Sequence, residues 1–256
     1  MTASCSFVTF FAGILTFGKT SECQIIRNGD IVRKRGSRIC VEESRALKFE
    51  HSLRLPVPEV YHVTTSEAET EIVMDFIEGD SLEEAWQSMD PEQKHSIAEQ
   101  LGHIITTMRK VPSNGCKIGS FDGTARDCRQ FSDYFGGPSE DVCDFNEFTL
   151  DFLRGTPLAI RKTLVEAFER SSQSRTRVVL SHGDLVPRNI IVKEGRVQAL
   201  LDWEYAGWYP EYWEYVKFFD RPTDCKDWKD YAEVIFDTSY PAELLTFQAL
   251  ARWQRP

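Results

Sequence analysis

Val178 to Tyr215 reads VVLSHGDLVPRNIIVKEGRVQALLDWEYAGWYPEYWEY, the densest run of chemistry-bearing residues in the chain. Val178-Val179-Leu180 is a short β-prone run, and His182 to Asn189 is a polar loop. Asn189–Val192 and Val197–Leu201 predict two strands around a Glu194-Gly195 turn, with Asp202 closing the second. Such a hairpin gathers Asp184, Asn189 and Asp202 at strand ends. Two carboxylates and an amide oxygen form a hard, oxygen-rich donor set. That set suits Mg²⁺, which keeps several waters and takes few protein ligands. Zinc or copper would call for His or Cys there.

His182-Gly183-Asp184-Leu185-Val186-Pro187-Arg188-Asn189, followed by Leu201-Asp202-Trp203, resembles the catalytic loop and metal-binding Asp of the aminoglycoside phosphotransferase and choline kinase group. The kinase pattern is H-R-D-x-x-x-x-N followed by D-F-G. The spacing is kept here, with Gly183 in place of Arg and with Asp202 lying 13 residues beyond Asn189. Trp203-Glu204 replaces Phe-Gly, and no Ala-Pro-Glu segment follows, so a protein-kinase activation loop is not expected. The nearest relatives look like fungal-type members of the group. The resemblance implies an α+β, protein-kinase-like two-lobed fold. It also implies ATP- and Mg²⁺-dependent transfer of the γ-phosphate to a hydroxyl of a small molecule. Asp184 would accept or orient the hydroxyl proton, and Asn189 and Asp202 would hold Mg²⁺. His182 would brace the loop rather than act as a chemical base.

Upstream, the periodicities support such a layout. Gln24–Arg27 and Ile31–Lys34 are β-prone runs split by Asn28-Gly29-Asp30, a hairpin signal. Glu42–Glu50 has helical spacing and is stopped by Pro56-Val57-Pro58. Val60–Thr64 and Glu71–Phe76 read as strands. From Ser81 onward helices dominate. Ser81 and Glu84 make a capping box. Asp90, Pro91 and Gln93 open a helix whose Ile97, Leu101, Ile104, Ile105 and Met108 share one face. Thr156-Pro157 opens another, with Leu164, Val165 and Phe168 inward. A β-rich segment followed by a helical one is an α+β arrangement. The expected lobes are residues 1–79 for nucleotide and 80–256 for catalysis and acceptor, hinged near Phe76–Gly79.

In the first lobe, Lys34 resembles the lysine that pairs with the α- and β-phosphates, and Glu43 the glutamate that orients it. Glu42 competes with Glu43. Arg33 and Arg35 fall on the opposite strand face from Lys34 by alternation. Met74 to Gly79 resembles the interlobe linker, so the backbone at Asp75, Phe76 and Ile77 would meet adenine. Gly13 to Thr20 formally matches the P-loop pattern G-x-x-x-x-G-K-[ST]. That motif needs a helix starting at Lys19-Thr20, whereas the following residues read as strand. The preferred reading is a strand Phe7–Phe17 turning at Gly18–Ser21 into Cys23–Arg27. Gly18 and Ser21 would then cover phosphate.

The 256 residues carry 30 Lys+Arg against 40 Asp+Glu, a formal charge of −10. That balance argues against nucleic acid or an anionic membrane as partner. The expected first lobe holds −2 of this charge and the second −8. An acidic cleft attracts cationic acceptors; a solvated acidic surface explains the same excess. Trp203, Tyr205, Trp208, Tyr209, Tyr212, Trp213 and Tyr215 read either as a cation–π site for an ammonium ligand or as packing core. Glu211 and Glu214 beside them could meet a cation or sit on a helix surface. Seven scattered Cys residues, none in CxxC spacing, suit reduced thiols and a cytoplasmic location. The apolar run 5–18 is too short to span a bilayer and has no basic n-region, so a strand is preferred over a cleaved signal. Two rival functions stand beside phosphotransfer. One is a kinase-like nucleotide-binding or regulatory protein with little or no turnover, and the other is a P-loop NTPase.

Overall fold

The computed structural model describes residues 8–9, 15–20, 23–113, 115–129, 132–150, 153, 156–172 and 176–253. In chain order its first elements are β1 (Val8–Thr9), β2 (Leu15–Thr20), β3 (Cys23–Asn28), β4 (Ile31–Gly36) and α1 (Val41–Ser52). Then come β5 (Val60–Thr65), β6 (Thr70–Asp75), β7 (Asp80–Ser81), α2 (Leu82–Trp86) and α3 (Pro91–Arg109). A hairpin β8 (Ala125–Arg129) and β9 (Ser132–Gly136) precedes α4 (Val142–Leu150) and α5 (Leu158–Ser172). The remainder is β10 (Val178–Ser181), β11 (Ile190–Lys193), β12 (Arg196–Leu200), β13 (Gly207–Pro210), α6 (Trp213–Asp220), α7 (Ala232–Ile235) and α8 (Pro241–Trp253). No described helix is long and apolar enough to cross a membrane.

Two compact units emerge: residues up to Ile97 with Pro187–Glu204, and Ala98–Val186 with Tyr205–Pro256. They divide the chain differently from the expected lobes. The reason is β-pairing: β7 joins β11 through Asp80↔Val192 and Ser81↔Ile191, which ties the hairpin β11–β12 to the first unit. Gly79 makes that approach feasible. A Cβ there would lie 2.5 Å from the Val192 carbonyl oxygen, and its φ of +145° is glycine territory.

The first unit is built on an antiparallel sheet in the order β1-β2-β3-β4-β6-β5. β3 and β4 form the expected hairpin, with Asn28 opposite Ile31 across a two-residue turn. The stretch expected as one strand Phe7–Phe17 is instead doubled back, because Val8 pairs with Phe17. β2 also runs on through Gly18 to Thr20, opposite Cys23, with an irregularity between Phe17 and Lys19. Gly18 therefore lies within a strand rather than in a turn, since the β-prone Leu15-Thr16-Phe17 pairs onto Ile25 and Ile26. Ser21 lies outside the described residues. Lys19 and Thr20 are strand residues and no helix starts there, which removes the P-loop reading.

The helix starts expected at Ser81 and Asp90 are both present, and α5 follows Thr156-Pro157. Ser81 Oγ accepts from the Glu84 amide while Glu84 accepts from the Ser81 amide. Asp90 Oδ1 accepts from the Gln93 amide at 2.8 Å, and Gln93 Oε1 returns the bond at 3.0 Å. Each reciprocal pair satisfies two backbone donors that a helix N-terminus leaves open.

In the second unit the aromatic cluster is core. Tyr209, Tyr212 and Trp213 join Phe145, Val216 and Phe247 in one buried group. Trp213 stacks on Tyr209 at 5.7 Å and meets Phe145 edge-on at 5.0 Å. A second cluster, Leu153, Leu164, Phe168 and Leu250, joins α5 to α8. All seven aromatics considered for a cation–π site are buried, so burial rather than ligand contact accounts for them.

The inward stripe of α1 holds Glu43, Ala46, Leu47 and Glu50 at helical spacing. Glu50 is fully buried, and neither of its carboxyl oxygens has a hydrogen-bond partner. Desolvation pushes its pKa up to about 8. Its folded-state pKa lies above the unfolded value of 4.5, so the folded protein holds the extra proton between them. The stability contribution is complete below the unfolded value and is lost as pH rises toward 8. The slope is at most slightly over ~1 kcal/mol per pH unit. Urea midpoints at pH 5 and pH 8 test this. They should fall with rising pH in the wild type, and the Glu50→Gln variant should lose that part of the fall.

Candidate active site

Lys34 is where the first unit concentrates charge. It sits on β4 opposite Ile72 of β6, and alternation turns it inward. Its neighbours face outward, with Arg33 bound to Glu71 at 3.2 Å and Arg35 bound to Glu69. The Lys34 Nζ donates to both carboxylate oxygens of Glu43 at 2.8 Å and to Asp202 Oδ1 at 2.6 Å. Glu42, the competitor, turns to Arg45 and Cys40. Burial pulls the Lys34 pKa down, but Asp202, Glu43 and Glu204 outweigh it and hold the ammonium well above the ordinary lysine range. Glu204 was not singled out from sequence. The signal available was its place two residues beyond Asp202, in the short helical turn Trp203–Tyr205.

The hairpin β11–β12 delivers Asn189 and Asp202 together. Ile190 pairs with Leu200, and the Leu201 amide donates to the Asn189 carbonyl at 2.8 Å. This puts Asn189 and Asp202 at the same end of the two strands. Asp202 adopts a left-handed backbone with φ +65°, unusual for a non-glycine residue. Strain of this kind persists where surroundings over-determine it, and functional sites are where it collects. Next to it, Trp203 is buried with its indole N–H donating to the Leu200 carbonyl at 2.9 Å.

One ammonium against three carboxylates, Glu43, Asp202 and Glu204, leaves this cluster with a net formal charge of −2. Its carboxylate oxygens are hard donors, the kind that divalent cations such as Mg²⁺ prefer. Among the described residues no group of three or more His, Cys, Asp or Glu side chains is arranged to hold a metal.

The linker residues are placed by their own contacts. The Asp75 carboxylate accepts from the Glu59 amide at 3.0 Å and from the Tyr61 hydroxyl, tying β6 to β5. The Phe76 amide donates to the Asp30 carbonyl at 2.9 Å, and the Arg27 guanidinium lies 3.4 Å from the centre of its ring. Ile77 follows, half-buried, before the close approach at Gly79.

His182 and Asp184 belong to the second unit. Both are buried, at 1% and 3% exposure. His182 Nδ1 accepts from the Asp184 amide at 3.1 Å, which places the imidazole inside the loop's own framework. The next residue explains the Gly-for-Arg replacement. Gly183 has φ +79°, and a Cβ there would lie 2.8 Å from the Tyr205 carbonyl oxygen. The loop is gripped by Glu214 of α6, whose carboxylate accepts the His182 amide at 2.5 Å and the Gly183 amide at 3.0 Å. Glu214 thus meets backbone N–H groups rather than a cation. Glu211, the other candidate, binds Arg177.

A scan against protein families matches residues 34–242 to the phosphotransferase enzyme family, APH. The chain belongs to that family. An aminoglycoside 3'-phosphotransferase of Enterococcus faecalis is 24% identical over 182 residues. That match takes in 69% of this chain and 65% of the relative, so the chain spans just under two thirds of the relative's length. Among solved structures, a thermostable mutant of aminoglycoside phosphotransferase APH(4)-Ia, in ternary complex with AMP-PNP and hygromycin B, superposes with a TM-score of 0.63. Identity is 15%, covering 94% of this chain and 83% of that one. ADP-bound aminoglycoside phosphotransferase APH(2'')-Ib gives a TM-score of 0.64 at 14% identity, covering 90% and 80%. Likeness at this identity speaks to the fold, which is the mixed α+β, kinase-like fold of these phosphotransferases.

The Glu214 contacts yield a measurable expectation. In Glu214→Ala two buried amides lose their charged acceptor, at a cost of about 2–4 kcal/mol. Urea unfolding should show that loss. A change within about 0.5 kcal/mol, the usual range for a surface substitution, would contradict the gripping role.

Proposed function

We propose that this family member transfers the γ-phosphate of ATP to a hydroxyl group of a small molecule. The observation that carries the reading is the contact of Lys34 with both Glu43 and Asp202, three motif residues from distant parts of the chain. In this reading Lys34, held by Glu43, takes the α- and β-phosphates. Backbone groups of Asp75, Phe76 and Ile77 meet adenine, and β2 around Gly18 lies toward the phosphates. Asn189 and Asp202 hold Mg²⁺, which when bound neutralises charge on the phosphate oxygens.

Asp184 acts on the acceptor side. Its carboxylate orients the attacking hydroxyl and takes the proton as the new oxygen–phosphorus bond forms and ADP departs. The transition state of phosphoryl transfer is loose, so most of the catalysis is positioning and charge neutralisation. A rigid loop serves that end. The bonds from His182 and Gly183 to Glu214 fix the backbone on which Asp184 is mounted. The relatives are aminoglycoside phosphotransferases, and hygromycin B occupies one related structure, so an aminoglycoside is the first acceptor to try.

The test is a screen of aminoglycosides and other hydroxylated metabolites with γ-labelled ATP, comparing wild type with Asp184→Asn. Transfer in the wild type and a loss of about 10³-fold or more in the variant, with ATP affinity retained, is the expected result. Equal rates in both would refute the role of Asp184. Tight ATP binding with no transfer to any acceptor would favour a regulatory nucleotide-binding protein instead.

A further inference from the structure

Arg221, the residue that caps the C-terminus of α6, is not accounted for by the motif. Its Nε lies 3.0 Å from Asp184 Oδ1. The same group lies 3.3 Å from the Gly183 carbonyl oxygen, with Nη2 at 3.2 Å. The guanidinium carbon sits 4.5 Å from the centre of the Tyr205 ring. Arg221 is itself held, since Lys229 Nζ donates to its carbonyl at 3.0 Å. All of these partners lie in the second unit, and Arg221 and Asp184 are both buried.

The register along α6 makes this more than one ion pair. Glu214, Lys217 and Arg221 are spaced i, i+3, i+7 and therefore share a helix face. Glu214 accepts the amides of His182 and Gly183. Lys217 pairs with Asp127 of β8 at 2.8 Å, both fully buried. Arg221 takes the carbonyl of Gly183 and the side chain of Asp184. The loop backbone thus meets a negative group at its donors and a positive group at its acceptor.

We propose that Arg221 is a positioning residue for Asp184. It orients the carboxylate through Nε and offsets its charge inside the buried loop. This rests on the phosphotransfer reading above. A guanidinium is suited to the task because its planar fork binds a carboxylate and a carbonyl at once while stacking on an aromatic face. A lysine offers charge without that geometry.

The experiment follows MgATP turnover by ADP release, with water and with hygromycin B as probe acceptors. Wild type, Arg221→Ala, Arg221→Lys and Asp184→Asn are compared, each with and without added guanidinium chloride or sodium chloride at equal ionic strength. Arg221→Ala should lose turnover by about 10²-fold, the scale of a small misplacement of a catalytic group, with KM for ATP nearly unchanged. Guanidinium, but not sodium, should restore part of the loss, and Arg221→Lys should stay low. Amide hydrogen exchange at residues 182–184 supplies a second readout that needs no turnover. Exchange there should speed up by about tenfold or more in Arg221→Ala, as local opening becomes easier. Full turnover in Arg221→Ala, or unchanged exchange in the loop, would overturn the inference. If Asp184→Asn loses turnover while Arg221→Ala keeps it, only the role of Arg221 falls. If Asp184→Asn keeps it, the phosphotransfer reading of the loop falls with it.

Discussion

An ammonium group held out of water between opposing carboxylates is the constraint around which the first unit is arranged. Lys34 reaches Glu43 and Asp202 only because three separate features agree. Strand alternation turns Lys34 inward while Arg33 and Arg35 point out. The pitch of α1 turns Glu43 to the same side. The pairing of β7 with β11 fastens the hairpin that carries Asp202 to this unit. A buried ion pair is poor evidence for stability, since desolvation offsets most of the Coulomb attraction and apolar packing often serves as well. A cluster with more carboxylates than ammonium groups keeps excess negative charge after that pairing. Asp202 in the same cluster also carries a left-handed backbone, a kind of strain that collects at functional sites.

The second unit solves a different problem, which is to hold a short polar loop rigid with its backbone groups satisfied. Buried N–H and C=O groups require partners. Here one helix provides them from side chains, and the imidazole of His182 closes the loop internally. The chain passes from this loop to the β11–β12 hairpin between Val186 and Pro187. Each unit therefore holds its own charged group, the Lys34 cluster in the first and the Asp184 loop in the second.

Much of this was legible in the residues. The hairpin around Glu194-Gly195, the two helix starts at Ser81 and Asp90, and the choice of Lys34 over its arginine neighbours all follow from local rules of turn, cap and alternation. Glu43 over Glu42 followed from helical spacing. What was not legible depends on long-range packing. The pairing of β1 on β2 through Val8↔Phe17 is a long-range choice that alternation within one strand does not reveal. The aromatic run after Asp202 offered two readings, and only the packing of Phe145 and Phe247 against Trp213 makes it core. Glu214 and Arg221 had a helical spacing in common but no sequence signal naming the loop they hold. Nothing in the sequence set Glu50 apart from the other carboxylates of α1, and its burial shows only in the fold.

Whether the Lys34 cluster takes a magnesium nucleotide decides the central claim. Calorimetric titration with AMP-PNP, with and without Mg²⁺, in wild type and in Asp202→Asn, measures that directly. Binding should require Mg²⁺ in the wild type and weaken by at least about tenfold in the variant, a loss of roughly 1.4 kcal/mol. Equal affinity in the two proteins, or affinity indifferent to Mg²⁺, would contradict it.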